Sequence, residues 1–285
     1  MATEFELLIE CSDSEYAARA SRAAFDELDR LESLLSRFIP NSDIARINSL
    51  KKGQAAIVSP ETMECLQLAQ EIHRQTGGLF DVTVGGLVDL WKESVPPQPV
   101  LQRLVQRVGM RLLEIRADTM SIRVHSDNLC LDLGGLGKGY ALKKMAEVLR
   151  EWKIVKALIH GGSSSILAME PPAEEEGWKV RLTNPITQNE IRTLRLANQA
   201  LSCSGLRRGA DMIRPDCGLA VQDKDAVWVK GDCPAVCDGL STAVMVMTRQ
   251  EIERFSRQNP RVSLLVLLKD QPNEIPLQYG FWGEK

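Results

Sequence analysis

The residues that promise the most chemistry are Leu131-Asp132-Leu133-Gly134-Gly135-Leu136-Gly137-Lys138-Gly139-Tyr140, an apolar strand-like run that enters glycines and then a helical pattern. Glycines let the backbone approach an anion closely, a helix N-terminus offers free N–H groups and a positive dipole end, and Lys138 adds a full charge. Such a turn could cradle a diphosphate. It departs from the Walker A loop, because Asp132 stands where the first glycine belongs and Gly139 replaces the Ser/Thr that holds magnesium; Tyr140 breaks the dinucleotide fingerprint. On residue chemistry alone a plain structural turn explains the glycines more simply. A second cluster, Cys237-Asp238-Gly239-Leu240-Ser241-Thr242-Ala243, spaces a carboxylate and a hydroxyl four residues apart. On a helix the two share a face and could hold a hard cation such as Mg²⁺, which takes its remaining ligands from water and substrate phosphates. The simpler alternative is an N-cap Asp238 followed by a helix-interior threonine.

Two further stretches, Ser36 to Asn48 and Thr76 to Trp91, mix turn residues with aromatics. A capped helix end and a glycine-terminated helix explain their glycines and prolines, but not why Asp81, Thr83 and Trp91 occur together; loops of this kind often line sites.

The elements that must carry these residues follow from periodicity. Ala24, Leu28, Leu31, Leu35 and Phe38 recur at helical spacing from about Ser14, and Pro40-Asn41-Ser42-Asp43 closes that helix. Ser59-Pro60 opens a second helix that Gly77-Gly78 stops, and the segment after Pro96-Pro97-Gln98-Pro99 reads as helical to Val108. Strand patterns follow at Ser121 to Val124, Leu129 to Leu133, Val155 to His160 and Ser165 to Met169; Trp178 to Leu182 and Ile191 to Leu196 extend the same sheet. Thr248-Arg249-Gln250-Glu251 is a capping box, and Val262 to Leu268 is an apolar strand. Helices before and between groups of strands, without βαβ alternation, define an α+β fold.

Composition sets the outer bounds. A chain of 285 residues with 44% hydrophobic and 26% charged residues is ordinary globular material and can build its core without staples. A net charge of −3 argues against a nucleic-acid partner. No apolar run approaches the roughly 18 to 20 residues that cross a bilayer, so membrane insertion is not expected. The first ten residues carry three acids where a signal peptide wants basic residues, which gives a cytoplasmic expectation. Seven scattered cysteines fit reduced thiols, and Cys233/Cys237 lack the further ligands of a zinc site.

Taken in order, the four blocks resemble the ApbE family, FAD:protein FMN transferases that move FMN from FAD to a threonine of a flavoprotein. The family pattern S-T-Y-R-P-x-S-E-L-S-R-x-N is matched from Ser36 to Asn48 with Phe38 for Tyr and Asp43 for Glu; G-G-x-F-D-P-T-V-G-x-L-V-x-L-W from Gly77 to Trp91 with Val82 for Pro; D-L-G-G-I-A-K-G-Y from Asp132 to Tyr140 with Gly137 for Ala; D-A-x-A-T-A from Asp238 to Ala243. Gly161-Gly162 and Ala200-Leu201-Ser202-Cys203-Ser204-Gly205 fall where the family has G-G and A-L-A-T-S-G. The resemblance implies one ApbE-like, T-fold-related domain over residues 1–285, with a central, mostly antiparallel sheet flanked by helices. It further implies that Gly137 (through its carbonyl), Asp238 and Thr242 hold Mg²⁺ beside the FAD diphosphate, that Lys138 faces the phosphates, and that Phe38, Asp43, Asp81, Gly161, Gly162, Ser204 and Gly205 surround the cofactor.

One departure bears on catalysis. The family's H-I-I-D-P-x-T-G reads here Asp211-Met212-Ile213-Arg214-Pro215-Asp216-Cys217-Gly218, so Asp211 stands in for a histidine that assists the attacking threonine. A carboxylate of ordinary pKa near 4 is a weak base for a hydroxyl. Lys143 replaces an acid of the family pattern, and among the histidines His160 stands nearest a block, whereas His73 and His125 read as structural. Three outcomes stay open: FMN transfer to an acceptor flavoprotein with AMP release, with Asp211 and Asp238 catalytic; FAD binding without turnover; and FAD hydrolysis to FMN and AMP. Family acceptors are typically membrane redox subunits modified outside the cytoplasm, so either the acceptor here is cytoplasmic or the chain start is incomplete.

Overall fold

The computed structural model describes residues 3–205, 212–269 and 276–282. In chain order the elements are β1 (Phe5–Ile9), α1 (Ser14–Leu35), α2 (Asp43–Asn48), β2 (Ala55–Ile57), α3 (Pro60–Gln75), α4 (Gly85–Glu93), α5 (Gln98–Val105), β3 (Leu113–Arg116), β4 (Ser121–Val124), α6 (Gly137–Glu151), β5 (Ala157–Gly161), β6 (Ser165–Ala168), β7 (Trp178–Thr183), β8 (Glu190–Leu196), β9 (Gln199–Gly205), β10 (Lys224–Gly231), α7 (Pro234–Val246), α8 (Arg249–Gln258), β11 (Ser263–Leu268) and β12 (Leu277–Tyr279).

Among the described residues seven strands form the central sheet in the order β1-β5-β6-β9-β10-β11-β12, every neighbouring pair antiparallel. Alternation along the strands sends Ile159, Leu167, Ala200, Val227 and Val229 to a helical core with α1, α6 and α7, and Leu158, Leu201, Trp228 and Leu265 to a second core beneath β7 and β8. Central strands buried on both faces read as continuous apolar runs, as β11 (Ser-Leu-Leu-Val-Leu-Leu) does. The architecture is α+β, with the expected mostly antiparallel sheet.

Three expectations are corrected. The run Trp178 to Leu196 does not extend the central sheet: among the described residues β7 and β8 pair only with each other and lie across its face, their Val180, Leu182, Leu194 and Leu196 covering that second core. Helix α1 ends at Leu35, because Ser36 turns extended (ψ 120°) and its carbonyl accepts the Ser42 hydroxyl at 2.6 Å; Ser42 then caps α2, and Phe38 lies in the loop, 76% exposed. Leu129 to Leu133 is not a strand beyond a single bridge from Cys130 to Val84. Its backbone is satisfied otherwise: the Asn48 amide accepts the Leu131 N–H (2.7 Å) and donates to the Leu131 carbonyl (3.1 Å), while Asp132 N–H donates to the Val82 carbonyl.

Helix α7 has eleven of its thirteen residues buried, the signature of a helix embedded in a core. It crosses α6 so closely that a Cβ on Gly139 would lie 2.2 Å from the Pro234 carbonyl oxygen. Gly139→Ala should therefore destabilise the fold by about 1–3 kcal/mol through overpacking, despite alanine's better helix propensity. A lowered midpoint in urea unfolding is the expected result; an unchanged or raised midpoint would show that the helices can part without cost.

Candidate functional site

Asp238 sits five residues into α7, so it is not an N-cap; its carboxylate, 2% exposed, faces the first turn of α6. No side chain caps α6, and the Gly139 N–H donates instead to Asp238 Oδ2 at 2.9 Å, a cap supplied from the other helix. Asp238 Oδ1 has longer contacts, 3.3 Å from Ser165 Oγ and 3.5 Å from Lys138 Nζ. One turn on, Thr242 meets the glycine turn: a Cβ on Gly135 would lie 2.8 Å from Thr242 Oγ1, so only glycine allows the turn to lie against the hydroxyl. Ser204 reaches in from β9 to Ser241 Oγ (2.8 Å) and Thr242 Oγ1 (3.4 Å). The turn itself is set by Asp132, whose Oδ1 accepts the Gly134 N–H at 2.7 Å.

These groups border a cavity of about 340 Å³ lined by Asp81, Gly134, Gly135, Lys138, Ser204 and Thr242, with Ser163, Ser164 and Gly205 also in its wall. A neighbouring cavity of about 480 Å³, lined by Arg37, Phe38, Gly137 and Leu133, shares Asp132, Gly134 and Lys138 with the first. The shared residues are the glycine turn and its lysine, so a ligand with an anionic middle and two larger ends fits across them. Phe38 stands exposed at the rim, its ring 4.7 Å from the Arg37 guanidinium, and offers a face to an aromatic group. Arg37 also pairs with Asp89 and Asp132, which fixes the wall between the two cavities.

Not every expected residue lies here. Asp43 is spent on structure: its Oδ2 accepts Ser59 N–H and Thr62 Oγ1, both at 2.8 Å, and Oδ1 accepts from Arg46 at 3.0 Å. Gly161 lies under Phe5 and Leu142, and Gly162, with φ of +63°, makes the bend that delivers Ser163 and Ser164; neither glycine lines the two cavities. Asp81 borders the main cavity, yet Oδ1 accepts from Thr83 N–H and Oγ1, and Oδ2 accepts the Met110 N–H, so it chiefly organises loops. Asp211 lies outside the described residues. His160 lies on β5 opposite Glu6 and lines neither cavity, and burial pushes its imidazole below the ordinary value. His73 is nearer: its Nδ1 is 2.9 Å from the Phe80 carbonyl and 3.3 Å from Asp81. Lys143 lies on the far side of α6; burial alone would raise the Glu64 carboxyl, but hydrogen bonds from Lys143, Lys144 and Tyr140 hold it down to about 2. Ser163, Ser164 and Ser165 were missed in the sequence, where the only signal was three serines directly after Gly161-Gly162.

The donors suit a hard cation: one buried carboxylate with an oxygen making only long contacts, and one hydroxyl a helical turn away. No group of three His, Cys, Asp or Glu exists among the described residues, so such an ion would draw on water and ligand oxygens, the habit of Mg²⁺. At Gly137 a Cβ would meet nothing within 4 Å, so the alanine of the family pattern would fit.

Fold and cavity thus define an α+β protein in which the glycine turn at the start of α6 meets the acid–hydroxyl pair of α7 at the border of two cavities. The family model described as ApbE family matches residues 1–266, and the chain belongs to that family. Relatives include proteins named FAD:protein FMN transferase from Salmonella typhimurium (24% identical, covering 94% of this chain and 82% of the relative) and from Escherichia coli (23%, 90% and 79%). Among solved structures, the flavin transferase ApbE from Vibrio cholerae superposes with a TM-score of 0.86 at 21% identity over 98% of this chain and 94% of that one. The ApbE protein from Thermotoga maritima gives 0.84 at 20% identity, over 94% and 91%. These likenesses show the fold.

The far wall of the main cavity includes Met212, Ile213 and Pro215, on a loop pinned by Arg214, which donates to the Val246 carbonyl (3.0 Å) and to both Glu251 oxygens (2.9 and 2.8 Å). Hydrogen bonds from Arg214 hold Glu251 down to about 2, below its ordinary 4.5. A carboxylate lowered on folding stabilises above its unfolded value and loses that contribution as pH falls toward the folded one. Glu251→Gln should cost about 1 kcal/mol near pH 7, the pair being partly hydrated. Urea melts of both proteins should converge between about pH 4.5 and 2; a difference that persists at pH 2 would contradict the assignment.

Proposed function

We propose that this protein transfers FMN from FAD to a threonine hydroxyl of an acceptor flavoprotein, releasing AMP, with Mg²⁺ as the assisting ion. The observation that carries the reading is the convergence of Lys138, the Gly134-Gly135 turn, Asp238 and Thr242 on the junction of two cavities. The names of the relatives, FAD:protein FMN transferase, agree with it.

In this reading the FAD diphosphate lies against the glycine turn and Lys138, and its two ends occupy the cavities, with Phe38, Ser204 and Gly205 at their walls. Asp81 shapes the main cavity, while Asp43, Gly161 and Gly162 act at one remove, by holding the elements that deliver lining residues. Asp238, Thr242 and the Gly137 carbonyl would hold Mg²⁺, which supplies charge stabilisation at a transferring phosphoryl group. The threonine oxygen bonds to the FMN phosphorus, the pyrophosphate P–O bond breaks, and its electron pair leaves with AMP. The hydroxyl proton passes to a base, a role assigned to Asp211 from its place in the sequence. Chain groups thereby supply positioning and positive charge rather than covalent chemistry.

Purified protein incubated with FAD, Mg²⁺ and threonine-bearing acceptor should release AMP and yield a flavinylated product. Asp238→Ala should lower AMP release on the order of 100-fold and Thr242→Val about tenfold. AMP with free FMN and no adduct would establish hydrolysis instead. FAD bound but never cleaved would favour the reading in which replacement of the family histidine by Asp211 leaves a flavin-binding protein.

A further inference from the structure

Lys138 is the second residue of α6, where the positive end of the helix dipole disfavours a cation, and no acidic residue in that first turn offsets it. It gains nothing from its own helix. Its Nζ lies 3.5 Å from Asp238 Oδ1 and 3.3 Å from the Gly134 carbonyl, and among the described residues it is the one cation within ion-pair distance of that buried carboxylate. Both contacts are long, and the side chain borders both cavities. The oxygen it faces is the one that Gly139 does not use.

We propose that Lys138 is an exchangeable counter-ion: it neutralises Asp238 in the ligand-free protein, and it moves its charge onto the FAD diphosphate when a divalent cation takes its place on the carboxylate. The inference rests on the functional reading above. An ammonium and a divalent cation repel strongly when both lie about 4 Å or less from one oxygen in a poorly solvated site. A flexible four-carbon stem with rotatable donors can leave, and a diphosphate bordering the same two cavities is the anion within its reach. The charge on Lys138 therefore opposes the cation when FAD is absent and helps it when FAD is present. Cation and FAD must then bind cooperatively, each strengthening the other by the same factor.

The test uses Mn²⁺ as the probe ion, titrated by electron paramagnetic resonance, and FAD followed by flavin fluorescence, each with and without the other, on the full chain. Lys138→Gln should tighten Mn²⁺ binding in the absence of FAD on the order of tenfold, weaken FAD binding in the absence of ion, and shrink the coupling factor. Lys138→Arg, which keeps the charge, should retain strong coupling and checks that substitution at this position leaves the fold intact. A merely structural lysine would weaken both ligands together. If Asp238-dependent Mn²⁺ binding persists with FAD, yet Lys138→Gln binds Mn²⁺ alone no tighter than the parent, the counter-ion role falls and the functional reading stands. If no Mn²⁺ binding depends on Asp238, with or without FAD, both fall.

Discussion

A carboxylate placed in the middle of a core helix is the constraint on which the rest of the structure depends. Burying an uncompensated charge costs several kcal/mol, so Asp238 must be met by donors from other elements. The fold supplies them from two directions: the Gly139 N–H from the uncapped start of α6, and the Ser165 hydroxyl from β6. Each donor dictates something larger. The first requires α6 and α7 to cross at near contact, which only a glycine at position 139 permits. The second requires β6 to lie inside the sheet, next to β9, whose Ser204 closes the site from below.

The layers serve that meeting point. A sheet covered on both faces makes a stiff floor, and the glycine turn is held above it by Asp132, itself clamped by Arg37. Because the turn and Lys138 separate the two cavities, a ligand with an anionic centre would be gripped at its middle while its ends rest on less polar walls. Under the proposed transfer, the same geometry would leave little for further side chains to supply. Charge and position would come from a helix terminus, a lysine and an acid–hydroxyl pair, most of them within two short stretches of sequence.

Those two stretches carry plain local signals, although residue chemistry alone favours a structural turn and an N-cap Asp238, and the family resemblance is what ties them to a site. Asp132 to Tyr140 and Asp238 to Thr242 carry local signals, glycines before a helix and oxygens at i, i+4, and residues of both border the candidate site. The capping box at Thr248 and the start of α3 at Ser59-Pro60 were readable for the same reason, since caps are local chemistry. Legibility failed where the partner was remote in sequence. Trp178 to Leu196 has the alternation of a sheet strand, but alternation does not say which sheet receives it. The family resemblance makes Asp43 and Asp81 site acids, yet their oxygens are taken by Ser59, Thr62, Thr83 and Met110. The serines at 163 and 164 carry no periodic or capping signal; the bend at Gly162 brings them to the cavity wall, and the pairing of β6 with β9 sets Ser165 beside Asp238.

Asn48 has a consequence of its own. Its amide reads both the N–H and the carbonyl of Leu131, 83 residues away, as a neighbouring strand would. Sliding that segment by one residue would break both bonds, so this one side chain works as a gauge that sets where the glycine turn begins. Between the two, the chain from β2 through α5 to β4 returns to the site at Val82, whose carbonyl accepts the Asp132 N–H, and at Asp81, Val84 and Val88 on the wall of the main cavity. The turn between β3 and β4, which lines neither cavity, can change length without altering the reach of Lys138, whereas a single residue inserted between Leu131 and Lys138 would put the whole site out of register.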